Sequence, residues 1–172
     1  DNPTMLAASG HQSWDQTPYI IDNGVDPKWA ILALNTQWEG HVEGKLSTAD
    51  MERIKQLPAD TPCIVFCHHH PLAIETPWID RFPLINGAAL LQVLDTMPQV
   101  KALAFGHIHQ AWERTFGHLR LLGCPASSAN TQPGVTTFTD DNQGAKALCI
   151  DLLAAGMLQS SIIQTTDSGH SS

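Results

Sequence analysis

Cys63-Ile64-Val65-Phe66-Cys67-His68-His69-His70-Pro71 is the stretch that decides the fold. Its first five residues are continuously apolar, the mark of a short strand buried on both faces. Three imidazoles and a proline follow at once. In open α/β sheets, ligands bind just beyond the carboxyl ends of strands. The arrangement recurs downstream, where the apolar run from Val100 to Phe105 ends in Gly106-His107-Ile108-His109. A third run, Trp29-Ala30-Ile31-Leu32-Ala33-Leu34, reads as another buried strand.

Helices fill the spaces between these runs. Ser47-Thr48-Ala49-Asp50 has the form of a capping box and opens a helix to about Leu57, closed by Pro58 and Pro62. Asn86-Gly87 precedes a helix from Ala88 to about Met97, with Leu90, Leu91, Leu94 and Met97 at helical spacing and Pro98 after it. Alternating strands and helices predict a parallel sheet with helices packed on it. Beyond Phe105 the chain turns strand-rich and is expected to be antiparallel. Trp112–Phe116 and Leu119–Leu122 read as a hairpin around Gly117-His118, and Val135–Thr139, Ala147–Leu152 and Met157–Gln164 as further strands. The last two join through Ala155-Gly156. The fold class is therefore α/β, a sandwich with mixed sheets. Residues 1–28 read as loop with room for one short helix, and the Ser/Gly-rich residues 165–172 as a flexible tail.

The bulk numbers bound the function. The chain has 172 residues, 42% of them apolar, which suits one domain around one core. Seventeen acidic against nine basic side chains give a net charge of −8. That balance opposes binding to nucleic acid or an anionic membrane through a basic patch. It leaves room for an anionic substrate, because bound metal ions reverse the local field. No apolar run reaches the length of a membrane span. The first residues lack the features of a signal peptide, and without an initiator Met an upstream segment is expected. Four cysteines with no C-x-x-C pair read as reduced thiols of a cytoplasmic protein. Cys63 and Cys67 stand too far apart along one strand to bond.

Imidazole is a common ligand for Zn, Fe and Mn. In an extended segment His107 and His109 would point to one side, with Gly106 allowing a tight bend beside them. A lone H-x-H pair is more often structural, and a lone triple-His run is tag-like. Two such clusters, each after a buried strand, favour a metal site.

These residues resemble the calcineurin-like metallophosphoesterases. That superfamily carries five blocks in order: D-x-H, G-D-x-x-D, G-N-H-[DE], a strand followed by His, and G-H-x-H. The chain matches the last two, at His68 and at Gly106-His107-Ile108-His109; the first three do not occur in it. It is most similar to the class III cyclic nucleotide phosphodiesterases over roughly residues 29–140. The matching positions include Gly40, Gly44-Lys45-Leu46-Ser47, His68-His69-His70-Pro71-Leu72, Trp78-Ile79-Asp80, Asn86-Gly87, Gly106-His107-Ile108-His109-Gln110 and Cys124-Pro125-Ala126-Ser127.

The resemblance implies two divalent ions (Fe, Mn or Zn), with His68 and His107 on one and His109 on the other. His69 is the second choice for the first ligand, and His70 stands where relatives often have Pro. Asn35 replaces a frequent Asp, a change read as a turn former. His69, Trp78 and Asp80 are candidates for the substrate pocket, with packing as the alternative for Trp78. Asn130 and Thr131 are candidates for its edge, and His41 and His118 are expected at the surface. The implied reaction opens cyclic 3′,5′-AMP to 5′-AMP by attack of a metal-activated hydroxide. Residues 1–164 would then be the C-terminal portion of one metallophosphoesterase domain, with the N-terminal βα units absent. Such a portion is expected to be inactive alone and to form a homo-oligomer that covers an unpaired sheet edge and an apolar face. Three other readings compete: a hydrolase of glycerophosphodiesters or other phosphodiesters, a non-catalytic scaffold, and a structural zinc site on His68, His107 and His109.

Overall fold

The computed structural model describes residues 18–21 and 26–164. In chain order the elements are β1 (Tyr19–Ile21), β2 (Trp29–Ala33), α1 (Thr48–Ile54), β3 (Cys63–Cys67), α2 (Gly87–Asp95), β4 (Val100–Phe105), β5 (Trp112–Phe116), β6 (Leu119–Gly123), β7 (Lys146–Leu152) and β8 (Leu158–Gln164). The first six strands form one mixed sheet in the order β1-β2-β3-β4-β6-β5. Strands β2, β3, β4 and β6 are parallel, and β1 and β5 run antiparallel at the two edges.

The apolar runs form central strands because both sheet faces are covered. Leu32, Val65, Leu103 and Leu121 pair in one row across the sheet, and none of them is solvent-exposed. That row packs with Ile54 of α1 and Leu90, Leu91 and Leu94 of α2. The alternate positions Ile64, Ala102, Ala104 and Leu122 face the other way, onto Leu148, Ile150, Leu152 and Leu158 of the β7–β8 hairpin. Arg120 fastens that hairpin by donating to Ser160 Oγ at 2.6 Å and to Leu158 O at 3.2 Å. Trp29 Nε1 donates to Leu153 O at 3.1 Å. Helices therefore cover one face of the sheet and a hairpin the other.

Three expectations need correction. The stretch read as loop contains β1, whose Tyr19, Ile20 and Ile21 pair with Ile31, Ala30 and Trp29 and cap the edge beside β2. The segment 135–139 forms no strand. Its backbone groups go elsewhere: Val135 O accepts from Trp78 N–H at 3.1 Å, and Thr139 O accepts from Thr131 Oγ1 at 3.1 Å. The later strands are also not purely antiparallel, since β6 joins β4 in parallel. The expected loop at 1–17 and 22–25 and the tail at 165–172 lie outside the described residues. All four cysteines are free. No helix among the described residues is long and apolar enough to cross a membrane.

Candidate metal centre

Cys67 and Phe105, the last residues of β3 and β4, pair directly across the sheet. Whatever follows each strand must therefore emerge side by side. His68 Nε2 lies 3.1 Å from His107 Nδ1, and one ligand atom from each of His68, His69 and His107 fits within a 4.8 Å spread. Among the described residues this group holds three imidazoles and no carboxylate.

The segment carrying His107 and His109 is not extended. His107 has φ 66° and His109 φ 52°, both left-handed, and Ile108 N–H donates to Gly106 O at 2.7 Å to close a three-residue turn around His107. The expectation that strand alternation aligns the two rings fails for this reason. Left-handed non-glycine residues are uncommon and cluster at functional sites. His109 stands outside the tight group. Its Nδ1 lies 2.9 Å from Ala129 O, which can only accept, so Nδ1 carries a proton and, in the neutral ring, Nε2 is the nitrogen left to act as a ligand. Metal-binding histidines commonly hold their second nitrogen in this way.

Burial sets the charge state. Desolvation pushes His107 down to about 3, helped by the neighbouring His69, His68, His70 and His109. Desolvation also pushes His70 down to about 4, against the opposing pull of Asp80. His68 and His69 are lowered as well, again mainly by desolvation. His68, His69, His70 and His107 thus favour the neutral form at pH 7, the form that offers a lone pair to a metal. His107 Nε2 is buried with no hydrogen-bond partner.

Sequence comparison covers most of the chain. The chain is 30% identical over 168 residues to the 3′,5′-cyclic adenosine monophosphate phosphodiesterase CpdA of Pseudomonas aeruginosa, covering 96% of this chain and 60% of that protein. It is 32% identical over 159 residues to CpdA of Escherichia coli strain K12, with coverages of 86% and 58%. A 3′,5′-cyclic-nucleotide phosphodiesterase of Nostoc is 37% identical over 114 residues, with coverages of 64% and 42%. Over most of its length the chain is thus similar to cyclic nucleotide phosphodiesterases. It spans about 60% of the length of the first two relatives. No protein-family model matches it.

The other candidate residues divide by environment. His69 is buried, and both its nitrogens are engaged. Val42 O at 3.0 Å can only accept, so Nε2 is protonated and Nδ1 accepts from Thr36 Oγ1 at 2.8 Å. His70 is fully buried, lies 3.7 Å from Asp80, and stacks on His107 with ring centres 5.8 Å apart. Asp80 turns both carboxylate oxygens into its own loop, where they accept from Ile74 N–H at 2.8 Å and Thr76 N–H at 2.9 Å. Trp78 packs against the main core and Phe138.

The cleft beside the imidazoles holds about 340 Å³ and is walled by Thr36, Trp38, His41 and Val42 opposite His68 and His107. Asn130 and Thr131 line a different, polar cleft of about 310 Å³ with Gln110 and Lys146. Asn130's amide is spent on Ala126 and Gly144. His41 and His118 are exposed, as expected. Sequence reasoning missed Thr36, and it placed Gly44 in a matching block without the reason for a glycine there. A Cβ on Gly44 would sit 2.4 Å from the His69 ring.

Proposed function

We propose that this chain carries the histidine side of a metal centre that hydrolyses the 3′,5′-phosphodiester of a cyclic nucleotide, cyclic AMP to 5′-AMP, in a protein of its relatives' length. The observation that carries this reading is the 3.1 Å approach of His68 and His107 across two paired strand ends. His109 supports it through the tautomer that Ala129 O imposes. The donor set fits a borderline metal such as Zn, Fe or Mn: neutral imidazoles, one with a buried nitrogen that lacks a partner. His68 and His107 would hold one ion and His109 a second. When bound, such ions supply Lewis acidity to a water nucleophile and neutralise charge on the phosphate oxygens. The protein's own part is to keep His68 and His107 neutral and all three rings fixed. His69 ties the cluster to the β2–α1 loop, and His70 backs His107 from the interior.

On this reading the fold is a metallophosphoesterase-type sandwich in which further βα units would complete the second layer begun by β7 and β8. The half-open apolar surface around Ala33, Phe66 and Ala104 supports self-association of the chain. Free cysteines support a reducing compartment, the cytoplasm.

Metal analysis tests the centre. The chain reconstituted with Mn or Zn should retain metal, and His68→Ala, His107→Ala and His109→Ala should each lower retention at least about tenfold. His118→Ala should not. Unchanged retention in all three variants sinks the reading. With carboxylate ligands missing from the group, turnover of cyclic AMP by this chain with added Mn should fall at least about a hundredfold below that of the full-length relatives. A panel containing a glycerophosphodiester decides the substrate.

A further inference from the structure

The cleft beside the imidazoles has a second wall, formed by the loop between β2 and α1. There Trp38 and His41 stack face to face, with ring centres 3.3 Å apart and planes 5° from parallel. His41 N–H donates to Trp38 O at 3.0 Å, and Gly40 between them takes φ 78°, so a tight turn fixes the pair. Lys45 Nζ lies 5.2 Å from the Trp38 ring centre, a cation–π distance. Trp38 belongs to neither apolar cluster of the core, and the His41 side chain is 42% exposed. Packing therefore does not explain the pair.

The loop is also held at a fixed offset from the candidate metal ligands. Thr36 Oγ1 and Val42 O grip the two nitrogens of His69 from either side of the aromatic pair. Lys45 N–H closes the loop on Thr36 O at 3.0 Å, and Gly44 N–H and O bond to Pro83 O and Ile85 N–H. A pair of parallel rings on the wall of a cleft with mixed polar and apolar lining suits one kind of ligand group, a flat aromatic base. Stacking on such rings is favourable for every base and needs no matching hydrogen bonds. The cleft's volume of about 340 Å³ falls within the range of small-molecule sites.

The geometry points to the Trp38–His41 pair as the platform for the purine base of the substrate, with its phosphate turned toward His68 and His107. This assignment rests on the phosphodiesterase reading above and adds to it the residues that recognise the base.

Calorimetric titration of the full chain, with and without Mn, against 5′-AMP and ribose 5-phosphate tests it. 5′-AMP should bind at least about tenfold more tightly than ribose 5-phosphate. Trp38→Leu and His41→Ala should each remove most of that advantage and leave ribose 5-phosphate unchanged, while Trp38→Phe should keep it. His41 is exposed, so its variant tests the platform without threatening the fold. If both variants bind 5′-AMP as the parent does while Mn still promotes ribose 5-phosphate binding, the platform is wrong and the metal reading stands. If Trp38 and His41 still discriminate but Mn affects neither ligand, the platform stands and the metal reading falls. If neither ligand binds, both fall.

Discussion

His69 is held by two hydrogen bonds of opposite sense, and Gly44 is pressed against its ring. Gly44→Ala would place a methyl group 2.4 Å from ring atoms that cannot retreat without breaking one of those bonds. We expect a loss of about 1–3 kcal/mol, read as a lower urea midpoint, together with weaker metal retention. The buried His70 ring and the half-buried His107 ring give the metal-free chain a directional response to acid. His70 and His107 titrate near 4 and 3 when folded, against an unfolded value of about 6.5. Between those values the unfolded chain binds more protons, so stability is full above about pH 6.5 and falls as the pH drops toward 4. Urea midpoints at pH 7.5 and 5 should show the drop, and His70→Leu should flatten it. A midpoint that rises on acidification would contradict the desolvation of these rings. The convergence of His68 and His107 was legible in the sequence, because each follows a buried strand and adjacent parallel strands end together. The direction of each ring was not. His107 and His109 take left-handed angles that the pattern G-H-x-H does not announce, and His69's role depends on Thr36 and Val42, over twenty residues away.

The elements were legible where local signals are strong. The continuous apolar runs became β2, β3 and β4, and the capping box at Ser47 is real: Ser47 Oγ accepts from Asp50 N–H at 3.1 Å and Asp50 Oδ2 from Ser47 N–H at 3.3 Å. Ser47→Ala should cost about 1 kcal/mol in thermal or urea unfolding, since a seven-residue helix has few internal bonds to spare. An unchanged midpoint would mean that tertiary packing alone holds α1. The failures have a common cause, which is that a strand exists only where it finds a partner. Tyr19-Ile20-Ile21 is too short to stand out, yet it finds the open side of β2. Val135–Thr139 has the β-branched alternation of a strand, but its carbonyls are taken by Trp78 and by the Thr131 hydroxyl.

For the whole molecule, the β7–β8 hairpin is what keeps the second face of the sheet from water. Leu148, Ile150, Leu152 and Leu158 cover Ile64, Ala102, Ala104 and Leu122, with Arg120 as the fastening. Ile150→Asp should therefore destabilise by about 1–3 kcal/mol and increase both apolar-dye binding and light scattering. A variant as stable and as monodisperse as the parent would show that the hairpin is dispensable. The order of the sheet has a bearing on biosynthesis. Strands β2, β3 and β4 lie side by side in the order in which a ribosome delivers them. A nascent chain halted after Pro71 already displays His68, His69 and His70, but His107 is still untranslated. On the proposed metal reading, ions met at that stage would find half a chelate, and the choice of metal would fall to the moment β4 docks, after most of the helical layer is in place.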